Sequence, residues 1–149
     1  MDLTALRAEI ANDPAALGYA ANVTLGSDSG VAALLNAPGA SRINRGIVTT
    51  EVFLSDFGAQ IAAIRSDNPA GVKAGFSAVW DLLTVPRTID YGHPVVQGAL
   101  ANMVAAGVGG LTSAQVSTTT TRAASRAEVL FGAGVAVSSN DVAASFGRI

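Results

Sequence analysis

Apolar side chains along this chain recur mainly at three- and four-residue spacing, the period of helices that bury one face. Leu3, Leu6 and Ile10 share one such face, and Asp2 stands where an N-cap belongs, so a first helix is predicted from Leu3 to about Ala11. In "NDPAALGYA" the order Asp13, Pro14 and then Gly18 predicts a short helical restart with a left-handed exit. Val31, Leu34 and Leu35 form the next apolar face, which Pro38 ends. Val52, Phe53, Phe57, Ile61 and Ile64 make the longest stripe, with Glu51, Asp56 and Arg65 off it.

Asn68 and Pro69 repeat the cap-and-proline signal ahead of Val72, Phe76, Val79, Trp80 and Leu83, with Trp80 as the expected largest core anchor. After a loop, Pro94 opens another helix through Leu100, Met103 and Val104, which Gly107 ends. Three capping boxes follow: Thr112 with Gln115, Ser125 with Glu128, and Ser138 with Asp141. "VSTTTT" is compatible with an extended segment or a frayed helix end, and no alternation elsewhere is sustained enough to build a sheet. The expectation is an all-α fold: a compact single domain, residues 1–149, of about six to eight short helices. "NAPGASRINRG", residues 36–46, reads as the most linker-like stretch and the expected partner-contacting loop.

Composition changes this picture in one respect. Charged residues are 13% of the chain, against roughly 25% in ordinary soluble domains. Ala, Ser, Thr, Gly and Asn must therefore cover much of the surface, which lowers the cost of desolvating it against neighbours. The net charge is −2 and the nine basic residues are scattered, a poor footprint for tracking phosphates. Helix-turn-helix recognition of DNA would need a basic recognition helix, which the pattern lacks. No Asp, Glu, Lys or Arg lies between Asp90 and Arg122, but Gln97, Asn102 and several glycines interrupt that stretch, so a buried core helix is expected rather than a membrane span. Asp2, Arg7 and Glu9 break the apolar run that a signal peptide requires.

Candidate chemistry is sparse. There is no cysteine, and the single histidine, His93, precedes a predicted helix with only Asp90 near it in sequence, so neither a metal site nor a triad is assembled. "GSDSG" carries Asp28 where a nucleophile elbow needs serine, and "GVGG" follows a helix instead of a strand. Asp13, Asp28, Asp56, Asp67, Asp81 and Asp141 are read as helix-start residues complementing the dipole. No catalytic, cofactor-binding or metal-ligating residue is assigned, and an enzyme is not expected.

"LRAEIANDPAALGYA", then "VAALLNAPG", "FSAVWDLL", "VAAGV" with "LTSAQ", and finally "SRAEVLFGAGVAVSSNDVAASFG" occur in this order along nearly the whole chain. The series resembles a family of small all-helical proteins of tailed bacteriophages and prophages, most specifically through "DPAALGYA", "LLNAPG" and "SRAEVLFG". Members carry a more polar, Arg- and Ala-rich helix where this chain has "VSTTTT". The resemblance implies a phage setting and brings no catalytic residue with it.

Together with the low charge, it leads to the expectation of a minor virion structural protein, tail or tail-tip associated, touching other phage structural proteins as repeated copies in a symmetric assembly. Neither nucleic acid nor membrane is an expected partner, and no cofactor is expected. The alternative is a non-virion accessory protein, an assembly chaperone or a small DNA-binding regulator. Expected contact residues are Arg42, Ile43 and Arg45 in the 36–46 loop and Val135, Val137, Phe146 and Arg148 near the end. Residues 125–149 would form a docking element whose removal beyond Gly132 leaves the helical fold largely intact.

Overall fold

The computed structural model describes residues 1–66 and 88–149. The expected Asn68–Pro69 helix start, the Val72–Leu83 stripe, the Trp80 anchor and the roles of Asp67 and Asp81 lie outside the described residues. Within them the chain forms α1 (Leu3–Asn12), α2 (Tyr19–Thr24), α3 (Asp28–Asn36), β1 (Pro38–Asn44), β2 (Ile47–Thr49), α4 (Thr50–Ser66), β3 (Thr88–Asp90), α5 (Pro94–Ala105), a 3-10 turn (Val108–Gly110), α6 (Ser113–Thr120), β4 (Thr121–Ser125), α7 (Arg126–Phe131) and α8 (Ser139–Ser145).

The fold is mixed rather than all-α. Among the described residues four short strands make two two-stranded sheets, β1 with β4 and β2 with β3. Their signal is weak in the sequence for a physical reason. In β1 no residue is fully buried, so no apolar alternation marks it, and the strand is specified by its pairing with a segment far along the chain. The expected 36–46 loop is therefore largely strand. "VSTTTT" divides: α6 runs to Thr120 and β4 begins at Thr121. β2 and β3 are antiparallel, with Val48 opposite the buried Ile89.

The chain clusters into two compact units, residues 1–43 with 123–149, and residues 44–122. In the first, Leu6, Ile10, Tyr19, Val31, Leu35, Ala127, Val137 and Val142 form the core. α1 begins as expected, with the Asp2 carboxylate accepting from the Thr4 and Ala5 N–H groups. Asp13, however, ends α1 in a left-handed conformation, and its carboxylate accepts from the Leu17 and Gly18 N–H groups at 2.7 Å each. The expected helix after Pro14 is a turn instead, because those bonds hold residues 14–17 in a loop and helix resumes only at Tyr19. At Gly30 in α3 a Cβ would meet the Asn22 side-chain oxygen at 2.3 Å, so a larger residue there would displace the Asn22 side chain.

The second unit packs Phe53, Phe57 and Ile61 of α4 against Tyr91, the α5 residues Val96, Leu100 and Met103, and Leu111. α4 carries the predicted stripe but breaks its helical geometry at Phe57 (φ −127°, ψ 16°), where the ring lies 5.2 Å from that of Phe53. α5 buries Val96, Ala99, Leu100 and Met103. Among the described residues no helix is long and apolar enough to cross a membrane. Gly109, at φ +54°, lets the 3-10 turn approach α4; a Cβ there would stand 3.3 Å from the Gln60 Cα.

Candidate functional site

Two buried tyrosines organise the polar chemistry, one in each unit. In residues 1–43 with 123–149, Arg126 donates from Nε and Nη2 to the two Glu9 oxygens at 2.8 and 2.7 Å, and the Tyr19 hydroxyl lies 3.3 Å from Glu9 Oε1. Burial and the neighbouring Glu9 carboxylate push the Tyr19 hydroxyl well above its ordinary pKa. The hydrogen bond to Glu9 likewise raises that of Arg126. A bidentate pair on a carboxylate only 3% exposed is a structural clasp, with both oxygens committed inside the protein.

In residues 44–122, Arg45 and the Tyr91 hydroxyl both donate to Asp56 Oδ2 at 2.7 Å. Arg45 also reaches the Thr119 carbonyl at 2.9 Å, and its guanidinium lies over the Tyr91 ring. Burial first, then the Asp56 hydrogen bond, raises the Tyr91 hydroxyl as well. Asp56 is thus an ion-pair partner in mid-helix, not a helix-start residue.

Beside this cluster lies a cleft of about 370 Å³. One wall is α5, through Gln97, Ala101 and Val104; the other is α6, through Ser113, Val116, Ser117 and Thr120, with Asn44 and Thr121 at the ends of their strands closing it. Gln97 is anchored because its Nε2 donates to the Tyr91 carbonyl. Thr120 is only 3% exposed and donates to the Val116 carbonyl at 2.8 Å. These residues carried no sequence signal, since Ser, Thr, Asn and Gln on a helix surface look like ordinary solvent-facing positions.

The expected contact residues are dispersed. Arg42 is exposed on β1, Ile43 is half-buried, and Arg45 is held by Asp56. Val135 is half-buried, whereas Val137 is 3% exposed and belongs to the core. The Asn36 side chain clasps Val137, donating to its carbonyl at 2.7 Å and accepting from its N–H at 2.9 Å. Phe146 packs on the same core with the Arg7 and Arg148 guanidiniums against its ring, and Arg148 pairs with Asp28 at 2.7 Å. Residues 125–149 are therefore built into the first unit, and loss of the segment beyond Gly132 would strip Val137 and Val142 from its core. In the structure this segment supplies part of that unit's own core.

His93 caps α5, its Nδ1 accepting from the Val95 N–H at 3.2 Å, while Asp90 accepts from the Gly92 N–H instead. Among the described residues no group of three or more His, Cys, Asp or Glu side chains is placed to hold a metal ion. No protein-family model, curated protein or solved structure matches this chain.

Proposed function

We propose that this protein is a minor structural component of a tailed bacteriophage particle, associated with the tail or tail tip and acting through contacts with other structural proteins. The observation that carries this reading is a low-charge surface on which large aliphatic side chains stand in solvent. Leu25 is 80% exposed, Ile149 79% and Ile47 70%. Such side chains gain from burial against a neighbour, about 1.5–3 kcal/mol for each one fully covered, and few charges need desolvating alongside them. The motif series from "DPAALGYA" to "SRAEVLFG" supports the phage setting, and the virion is the proposed location, reached after synthesis in the bacterial host. The contact residues in this reading shift from Val137 and Phe146, which serve the protein's own core, to Leu25 and Ile149 in the first unit and, separately, Ile47 in the second.

Quantitative mass spectrometry of purified particles, separated into heads and tails, tests the proposal. Stoichiometric recovery in the tail fraction supports it. Recovery in heads alone overturns the tail assignment, and absence from both overturns the structural role in favour of an assembly chaperone or a regulator.

A further inference from the structure

The cleft between α5 and α6 presents an unusual combination of uncharged groups. Among the described residues its lining carries no acid and no base, so an anionic ligand would find no counter-charge in them and neither would a cationic one. Beside it Arg45 and Asp56 neutralise each other. The volume of about 370 Å³ falls within the range of about 300–1,000 Å³ usual for small-molecule sites.

The polar groups are partly preset. Gln97 spends an N–H on the Tyr91 carbonyl, which fixes its amide and leaves Oε1 as an acceptor. The buried Thr120 hydroxyl spends its proton on the Val116 carbonyl and keeps acceptor capacity. Among the described residues the Asn44 amide and the Ser113 and Ser117 hydroxyls have no protein partner and can donate or accept. Ala101, Val104 and Val116 supply an apolar wall. The complement of this arrangement is a neutral molecule with several hydroxyl donors along one edge and a C–H face on the other.

We propose that the α5–α6 cleft binds a neutral monosaccharide unit, its ring face against Val104 and Val116 and its hydroxyls donating to Gln97 and Thr120. The proposal is independent of the virion reading, because a chain absent from particles would still bind the sugar.

NMR amide spectra of the full chain, titrated with the methyl glycosides of glucose, mannose, galactose and N-acetylglucosamine, test it. The expected result is saturable shifts at Ala101, Val104, Val116 and Ser117 with at least one glycoside at millimolar concentration. Ser117→Phe, which places a ring in the cleft from an exposed position, should abolish those shifts, and Asn44→Ala should weaken binding several-fold; unchanged thermal unfolding of both variants would show that the fold is intact. Absence of shifts with every glycoside overturns the proposal. So do shifts outside the cleft, or shifts that survive Ser117→Phe. An uncharged Ser/Thr peptide that perturbs the cleft where the glycosides do not would also overturn it, making the site a peptide groove.

Discussion

Arg126 grips Glu9 through both of its carboxylate oxygens, at 2.8 and 2.7 Å, across 117 positions of sequence. This clasp ties α7 to α1 and so joins the two ends of the chain within one unit. Glu9 is 3% exposed and Arg126 24%, so removing the arginine leaves a carboxylate in a poorly hydrated place. Arg126→Ala should destabilise the unit by about 2–3 kcal/mol, below the 3–5 kcal/mol of a fully buried pair because the guanidinium is partly solvated. The double substitution Glu9→Leu with Arg126→Met should recover most of that loss, since no charge is then stranded. Denaturant unfolding of the two variants measures both effects; equal losses would contradict this account.

Alkaline pH attacks the same clusters. The chain has two tyrosines, and in both the hydroxyl pKa is raised by burial and an adjacent carboxylate. A raised folded-state pKa means that the folded form holds its proton where the unfolded form has lost it. This stabilisation is complete below about pH 10, the unfolded value, and declines as pH rises above it. Tyrosinate absorbance should therefore rise together with loss of helical circular dichroism, at a pH above 10. Free titration of either tyrosine near pH 10 in the folded protein would contradict this.

Much of the local structure was legible because its causes are local. All three capping boxes form, each with its side chain on the backbone N–H three residues on and the reciprocal bond in place. The Asp2 cap, the Pro94 start and the buried stripe of Phe53, Phe57 and Ile61 are likewise read within a few residues of themselves. The β1–β4 and β2–β3 sheets were not legible, because their strands are short and their partners distant, so nothing nearby declares the pairing. The same holds for the Arg126–Glu9 and Arg45–Asp56 pairs and for the cleft. Each depends on residues brought together only when the units close.

Acid should loosen α8 selectively. The Ser138 hydroxyl and then its backbone N–H, both donating to Asp141, hold that carboxyl below the usual carboxylate range. A depressed folded-state pKa contributes stability above the ordinary value of about 4, and that contribution is lost as pH falls through the folded value. Ser138→Ala should cost about 1 kcal/mol at neutral pH and lessen the acid sensitivity of α8. Amide hydrogen exchange at Val142 and Ala143 across the pH range reads this out. Unaltered exchange in the variant would remove the capping box from the account.

The C-terminal segment and residues 44–122 should respond oppositely to deletion. A chain ending at Gly132 loses Val137 and Val142, each worth about 1.5–3 kcal/mol when buried, together with the Asn36 clasp. Residues 1–43 should then fail to unfold cooperatively on heating. By contrast, Ile43 and Ala123 stand on paired strands, so a short turn replacing residues 44–122 should leave the remaining unit folded. Calorimetry of both shortened chains decides the matter; a transition in the first beyond the one that residues 44–122 contribute, or none in the second, would be the contrary result.

The Arg126–Glu9 clasp also sets a timetable for synthesis. Residues 44–122 are contiguous and can close as soon as they have left the ribosome, whereas α1, α2 and α3 emerge before them and must wait for α7 and α8, which are made after them. During that interval Leu6, Tyr19 and Leu35 have no completed core to enter, and Glu9 has no counter-ion. The helices of this unit that are made earlier thus mature only with those made later, and slow translation of residues 123–149 would prolong the period in which the earlier ones are open to chaperones or to aggregation.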